Sequence, residues 1–76
     1  MNDLILLIAR RLVSHPEEVE VTETEGDTTS IVELRVAKED LGRIIGKQGR
    51  TAHSIRTIVS AIASRENRRI VLDIVE

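Results

Sequence analysis

The apolar residues Ala52, Ile55, Ile58, Val59, Ile62 and Ala63 recur with a helical period, falling within roughly 140° at about 100° per residue. That spacing predicts a helix from Arg50 to Arg65, with Arg50, His53, Arg56, Thr57, Ser60 and Ser64 on its open face. On either side the period changes to two. Val32, Leu34 and Val36 alternate with Glu33 and Arg35, and Ile70, Leu72 and Ile74 alternate with Val71, Asp73 and Val75. Two strands joined by so long a crossover are expected to be parallel neighbours in one sheet, which then covers the apolar stripe of the helix.

The rest of the chain completes that frame. Leu4, Ile5, Ile8, Leu12 and Val13 mark the apolar face of a first helix, capped by Asn2 or Asp3 and ended by Ser14-His15-Pro16. Val19 and Val21 alternate with Glu20 and Thr22 in a short strand, and Gly26-Asp27 suggests a hairpin across Thr24–Ser30. A short helix is predicted over Lys38–Ile45, broken by a turn at Gly46–Gly49, and Asn67 marks the loop before the last strand. The order is α-β-β-α-α-β: an α/β two-layer sandwich with three helices on one face of a three-stranded mixed sheet. Residues 1–76 make a single domain with no repeat or linker. A chain this short buries only about 60% of its unfolded surface, so association with a partner would add useful stability.

Several function classes are disfavoured by what is missing. There are no cysteines, so disulfides, thiolate metal ligands and thiol nucleophiles are excluded. There are no aromatic residues, which removes stacking platforms for bases. The run Leu4–Ala9 is too short to span a bilayer, which needs about 20 apolar residues. Arg10 and Arg11 follow that run rather than precede it, unlike a signal peptide, so the expectation is a cytoplasmic protein with no membrane association. The net charge of −2 hides two opposed halves. Residues 1–37 carry three Arg and eight acids, whereas residues 38–69 carry eight Lys or Arg and three acids. Local field counts for more than net charge when a polyanion binds.

Within the basic half lies Ile44-Ile45-Gly46-Lys47-Gln48-Gly49-Arg50. Glycines at both ends of a helix–helix turn permit backbone angles closed to other residues. The unpaired N–H groups of the following helix, with its dipole, favour a bound phosphate there. Lys47, Arg50 and Arg43 bring full charges near the same spot, and Ile44 and Ile45 are placed to line a groove. Four residues of G-x-x-G are a weak signal alone, since a tight helix–helix turn explains them equally well. The βααβ setting and the basic surroundings strengthen it.

The order of elements together with I-I-G-K-Q-G-R-T resembles the type II KH domain, and the likeness to small stand-alone bacterial KH proteins runs through the whole chain. It includes Leu12-Val13, Pro16-Glu17-Glu18-Val19, Asp40-Leu41-Gly42 and Ile55-Arg56-Thr57. The resemblance implies that the turn clamps the backbone of about four single-stranded nucleotides, whose bases lie in a narrow aliphatic groove. On that basis Gly46, Lys47, Gln48 and Gly49 would contact phosphate, Ile44, Ile45 and Ala52 would face the groove, and Arg50, His53 and Arg56 would flank it. Ala52 stands where the family usually has a larger aliphatic residue. His53 replaces a usual basic residue, implying weaker electrostatic contact near neutral pH. The resemblance further implies an RNA chaperone or post-transcriptional regulator that forms homodimers or pairs with a larger KhpB-like protein. No cofactor or metal is expected.

An enzyme fits less well. G-K-Q-G is not a Walker loop, because its lysine lies between the glycines and no Ser or Thr follows in place. His15 and His53 read as surface residues, and Glu17, Glu18, Glu20, Glu23 and Glu25 as a solvated edge with no base beside them. The serious competitor is a protein-interaction or dimerisation module. Ala61 with Ser54, Thr57, Ser60 and Ser64 gives the long helix a small-residue surface that a partner can approach closely.

Overall fold

In the computed structural model, which describes all 76 residues, the first helix (α1) is Asn2–Leu12. Its N-cap is Met1 and no side chain caps it, so Asn2 and Asp3 lie inside the first turn. Asp3 there, with Arg10 and Arg11 in the last turn, complements the helix dipole. Apolar residues crowd several sides of this helix, so periodicity alone does not choose its buried face. The residues buried are Ile5 and Ala9, while Leu12, expected on that face, is 37% exposed. Val13 ends the helix in extended conformation, and Pro16 opens a single 3-10 turn at Pro16–Glu18.

Strands β1 (Glu20–Glu25) and β2 (Thr29–Arg35) form an antiparallel hairpin with Glu25 opposite Ser30. Its connection is shorter than the sequence suggests, because the Gly26 N–H donates to the Thr29 carbonyl at 2.8 Å. Arg68 staples the tip. Its guanidinium donates to the carbonyls of Gly26 and Asp27, each at 3.3 Å, and to Ser30 Oγ at 2.7 Å. Ser30 is fully buried, so this bond spares a hydroxyl the cost of burial without a partner.

A 3-10 turn at Lys38–Asp40 leads into α2 (Leu41–Ile45), the G-x-x-G turn, α3 (Arg50–Arg65) and β3 (Arg69–Val75). β3 runs parallel to β2, and the strand order β1-β2-β3 leaves β1 and β3 as edges. The α/β architecture and the α-β-β-α-α-β order agree with the sequence reading. Val32, Leu34 and Leu72 on the covered sheet face meet Ile5, Ile44, Ile55 and Val59 in one aliphatic core. The other sheet face stays open, with Ile31 48% and Val71 37% exposed. The buried stripe of α3 is narrower than its apolar stripe: Ala52, Ile55, Val59 and Ala63 are buried, but Ile58 is 48% exposed. Ile58 sits about 100° around the helix from Val59, beyond the reach of the sheet.

Asp40 is the one buried carboxylate. It occupies the N-cap position of α2, yet its side chain does not cap that helix. Its oxygens instead accept the backbone N–H groups of Ser14 and His15, both at 2.9 Å, and face His15 Nδ1 at 3.1 Å. His15 is therefore not a free surface residue: it ties the end of α1 to the start of α2. Burial alone would raise the Asp40 pKa, but the bonds from Ser14 and His15 outweigh it and hold the group at about 2. The hydrogen bond to Asp40 raises the His15 pKa above 6.5 against the opposing effect of burial, helped by the charges of Asp40, Glu17 and Glu18.

The two groups bound stability from opposite sides. The Asp40 contribution is present above its ordinary value of 3.8 and is lost as the pH falls through about 2. The His15 contribution is full below 6.5 and is lost as the pH rises through its raised folded value. Urea denaturation across pH should show Asp40→Asn abolishing most of the acid-side loss and His15→Gln abolishing the loss above 6.5. At neutral pH, Asp40→Ala should lower Tm by roughly 10 °C, because two backbone donors lose their acceptor.

Candidate nucleic-acid interface

Helix α2 closes with the Gly46 N–H donating to the Gly42 carbonyl at 2.8 Å, and the chain then leaves helical geometry. Gly46 has φ +77° and ψ 173°, and a Cβ there would lie 2.2 Å from Thr51 Oγ1 and 2.9 Å from Thr51 N. Glycine is required at this position by backbone angle and by contact together. Gln48 (φ 58°) and Gly49 (φ 75°) are both left-handed, which swings the chain into α3. The Gly49 N–H donates to the Gly46 carbonyl at 3.1 Å and closes the turn. A Cβ at Gly49 would meet nothing within 4 Å, so only its φ constrains that position.

This backbone leaves a surface suited to an anion. Gly49 is the N-cap of α3 and supplies no side-chain cap; the Arg50 N–H donates to the Lys47 carbonyl, and the dipole of a 16-residue helix adds partial positive charge beside the bend. Lys47 and Arg50 are exposed there, and neither lies within 4.0 Å of a carboxylate. Arg50 donates to Gln48 Oε1 at 3.2 Å, a bond that orients the guanidinium across the turn. Arg43 is exposed one helical turn earlier, its charge shared with Asp40 at 3.8 Å.

The apolar residues divide differently from the sequence expectation. Ile45 is 40% exposed beside the turn. Ile44 is completely buried and Ala52 is 4% exposed, so both support the turn from the core rather than face a groove. On the short α2, adjacent residues point about 100° apart, and only one of two isoleucines can face outward.

The second wall of the cleft is β3, a contribution that sequence periodicity does not reveal. A cleft of about 310 Å³ runs between α3 and this edge strand, lined by Arg56, Val59, Ser60, Arg69, Ile70, Val71 and Leu72. Arg56 spans it. Its Nε and Nη2 donate to the Leu72 carbonyl at 3.3 and 3.2 Å, so it is anchored to the free edge of the sheet. His53 is exposed on the outer surface of α3, in a shallow depression with Arg56, Thr57, Ser60, Ala61 and Ser64.

Residues 2–74 match the family model described as KhpA/KhpB, KH domain. The chain belongs to the KhpA/KhpB KH-domain family. It is 51% identical over its full 76 residues to a protein of Listeria monocytogenes named RNA-binding protein KhpA, covering all of both chains. Proteins of the same name from Clostridium acetobutylicum and Chlamydia caviae are each 49% identical, covering 99–100% of this chain and 97–100% of theirs. No solved structure gives a significant match. The KH fold expected from I-I-G-K-Q-G-R-T and the order of elements is therefore established, and with it the place of the G-x-x-G turn between the two crossover helices.

The unequal roles of the two glycines can be measured. Gly49→Ala pays only for left-handed φ and should cost about 1–2 kcal/mol in urea denaturation. Gly46→Ala should cost clearly more, because a Cβ also collides with Thr51. Adding Thr51→Gly should recover part of that excess but not all, since Thr51 N also stands at 2.9 Å.

Proposed function

We propose that this chain binds single-stranded RNA, the Gly46–Gly49 turn clamping the backbone of about four nucleotides while the bases lie toward the α3–β3 cleft. The observation that carries this reading is the turn itself. Two consecutive left-handed residues deliver a helix start that no side chain caps, flanked by Lys47 and Arg50 with no carboxylate within ion-pair distance. The names of the relatives, RNA-binding protein KhpA, point the same way. In this reading the protein works in a bacterial cytoplasm as an RNA chaperone or post-transcriptional regulator rather than as an enzyme.

A clamp of about four nucleotides gives weak affinity alone, and a second RNA-binding domain raises it by avidity. We therefore also propose pairing with a second copy or a KhpB-like protein. The supporting observation is Ile58, an isoleucine 48% exposed on a helix otherwise covered by small and polar residues. Ser54 and Ala61 stand beside it at helical spacing and admit a close approach. Ile58 is two residues from Ser60 and so about 160° away around α3, which leaves the cleft side free when a partner sits on Ile58.

Replacing Lys47 and Gln48 together by Asp tests the clamp. Aspartate tolerates the left-handed backbone of position 48, so the fold should survive. Fluorescence anisotropy with unstructured RNA at several salt concentrations should show at least a tenfold loss of affinity with Tm unchanged. Retained affinity would remove the clamp reading. For the second proposal, sedimentation at tens of micromolar should show a dimer that Ile58→Arg converts to monomer; a wild-type monomer would count against self-pairing.

A further inference from the structure

The cleft continues past Arg56. Ser60, Arg69 and Ile70 line both the 310 Å³ cleft and a further pocket of about 150 Å³, which also includes Ser64 and Arg68. The two are parts of one furrow running down α3 to its C-terminal end. We infer that this far end is a second phosphate site for the same RNA strand, formed by Arg69 with the hydroxyls of Ser60 and Ser64. This inference rests on the clamp reading and extends it to a longer ligand.

The chemistry is that of a backbone contact. Ser60 and Ser64 are four residues apart and present two hydroxyls on the same side of α3. Arg68 is held rigidly by its three bonds to the hairpin and contributes charge from a fixed position. Arg69 is exposed, and its side chain makes no hydrogen bond or ion pair within the chain. No carboxylate lies within 4.0 Å of Arg56, Arg65, Arg68 or Arg69, so the positive field here is not neutralised locally. The negative end of the α3 dipole opposes an anion, but the Ala63 and Ser64 carbonyls already accept the N–H groups of Glu66, Asn67 and Arg68.

Distance makes the site separable from the clamp. Ser64 lies fourteen residues beyond Arg50, about 21 Å along the helix axis. A strand that engages both sites must span that distance, beyond the nucleotides held at the turn itself. The floor of the intervening furrow is aliphatic, from Val59, Ile70 and Leu72, which suits unstacked bases between two phosphate anchors.

The experiment compares unstructured RNAs of about 4 and about 8 nucleotides against the wild type, Arg69→Glu and Arg69→Gln. Arg69→Glu should weaken the longer RNA about tenfold at low salt and the shorter by a clearly smaller factor. Arg69→Gln should lower the salt dependence of the longer RNA by about 0.7, the value for one phosphate contact on a single strand. Equal losses at both lengths, or no loss at either, would overturn the second site. A change in sedimentation rather than in RNA affinity would also overturn it, marking Arg69 as a contact between copies. The Lys47/Gln48 double variant separates the two failures. If it abolishes binding while the Arg69 variants show no length dependence, the distal site alone falls. If it leaves both RNAs bound, the clamp reading falls, and with it the inference built on it.

Discussion

The seat of Thr51 on Gly46 governs the course of the chain from α3 to its end. With its side chain where a Cβ of residue 46 would be, Thr51 packs the first turn of α3 directly against the end of α2. That contact sets the direction in which α3 leaves the turn. Direction in turn decides whether Ala52, Ile55, Val59 and Ala63 meet the sheet, and whether Asn67 can return the chain as β3 beside β2. Gly49, the N-cap residue, leaves the start of α3 without a side-chain cap. Structural necessity and the proposed clamp therefore share one short turn, and a substitution at Gly46 disturbs that joint.

The fold was legible because two periods alternate along the chain, and the family because the turn sits between them. Which side of each stripe is buried was not. In α1 the run Leu4–Ala9 offers apolar residues in several directions, and the sheet selects Ile5 and the small Ala9 over Leu12. In α3 the apolar stripe is wider than the sheet, which strands Ile58 outside. Ile44 and Ile45 are chemically alike and adjacent, so only the packing of α2 tells core from surface. Arg56 reads from sequence as a flanking cation; its tie to Leu72 depends on strand order, which exposes the β3 edge. Asp40 lies 25 residues from its partner His15, and no local pattern announces so distant a bond.

The absence of aromatic side chains has the same consequence inside and out. The core is built from Ile, Leu, Val and Ala, and it fills the space between one sheet face and three helices without a large ring. A thin aliphatic core leaves polar ties such as Asp40 to Ser14 and His15, or Arg68 to the hairpin, to fix the loops. On the surface no ring is present for a base to stack on. In the proposed binding mode, recognition rests on backbone amides, guanidinium groups and an aliphatic floor, which constrain strand path more than base identity.

The charge division of the sequence becomes a division between the two edges of the sheet. β1 carries Glu20, Glu23 and Glu25 along one edge, with Glu17 and Glu18 just before it. β3 forms the other edge, with Arg56 on its Leu72 carbonyl and Arg68 and Arg69 at its start. Both edges offer unpaired backbone groups, but a polyanion is repelled from the first and drawn to the second. The net charge of −2 is therefore no obstacle to binding nucleic acid. The acidic edge discourages strand addition, and in the proposed binding mode it keeps RNA on the side of the furrow.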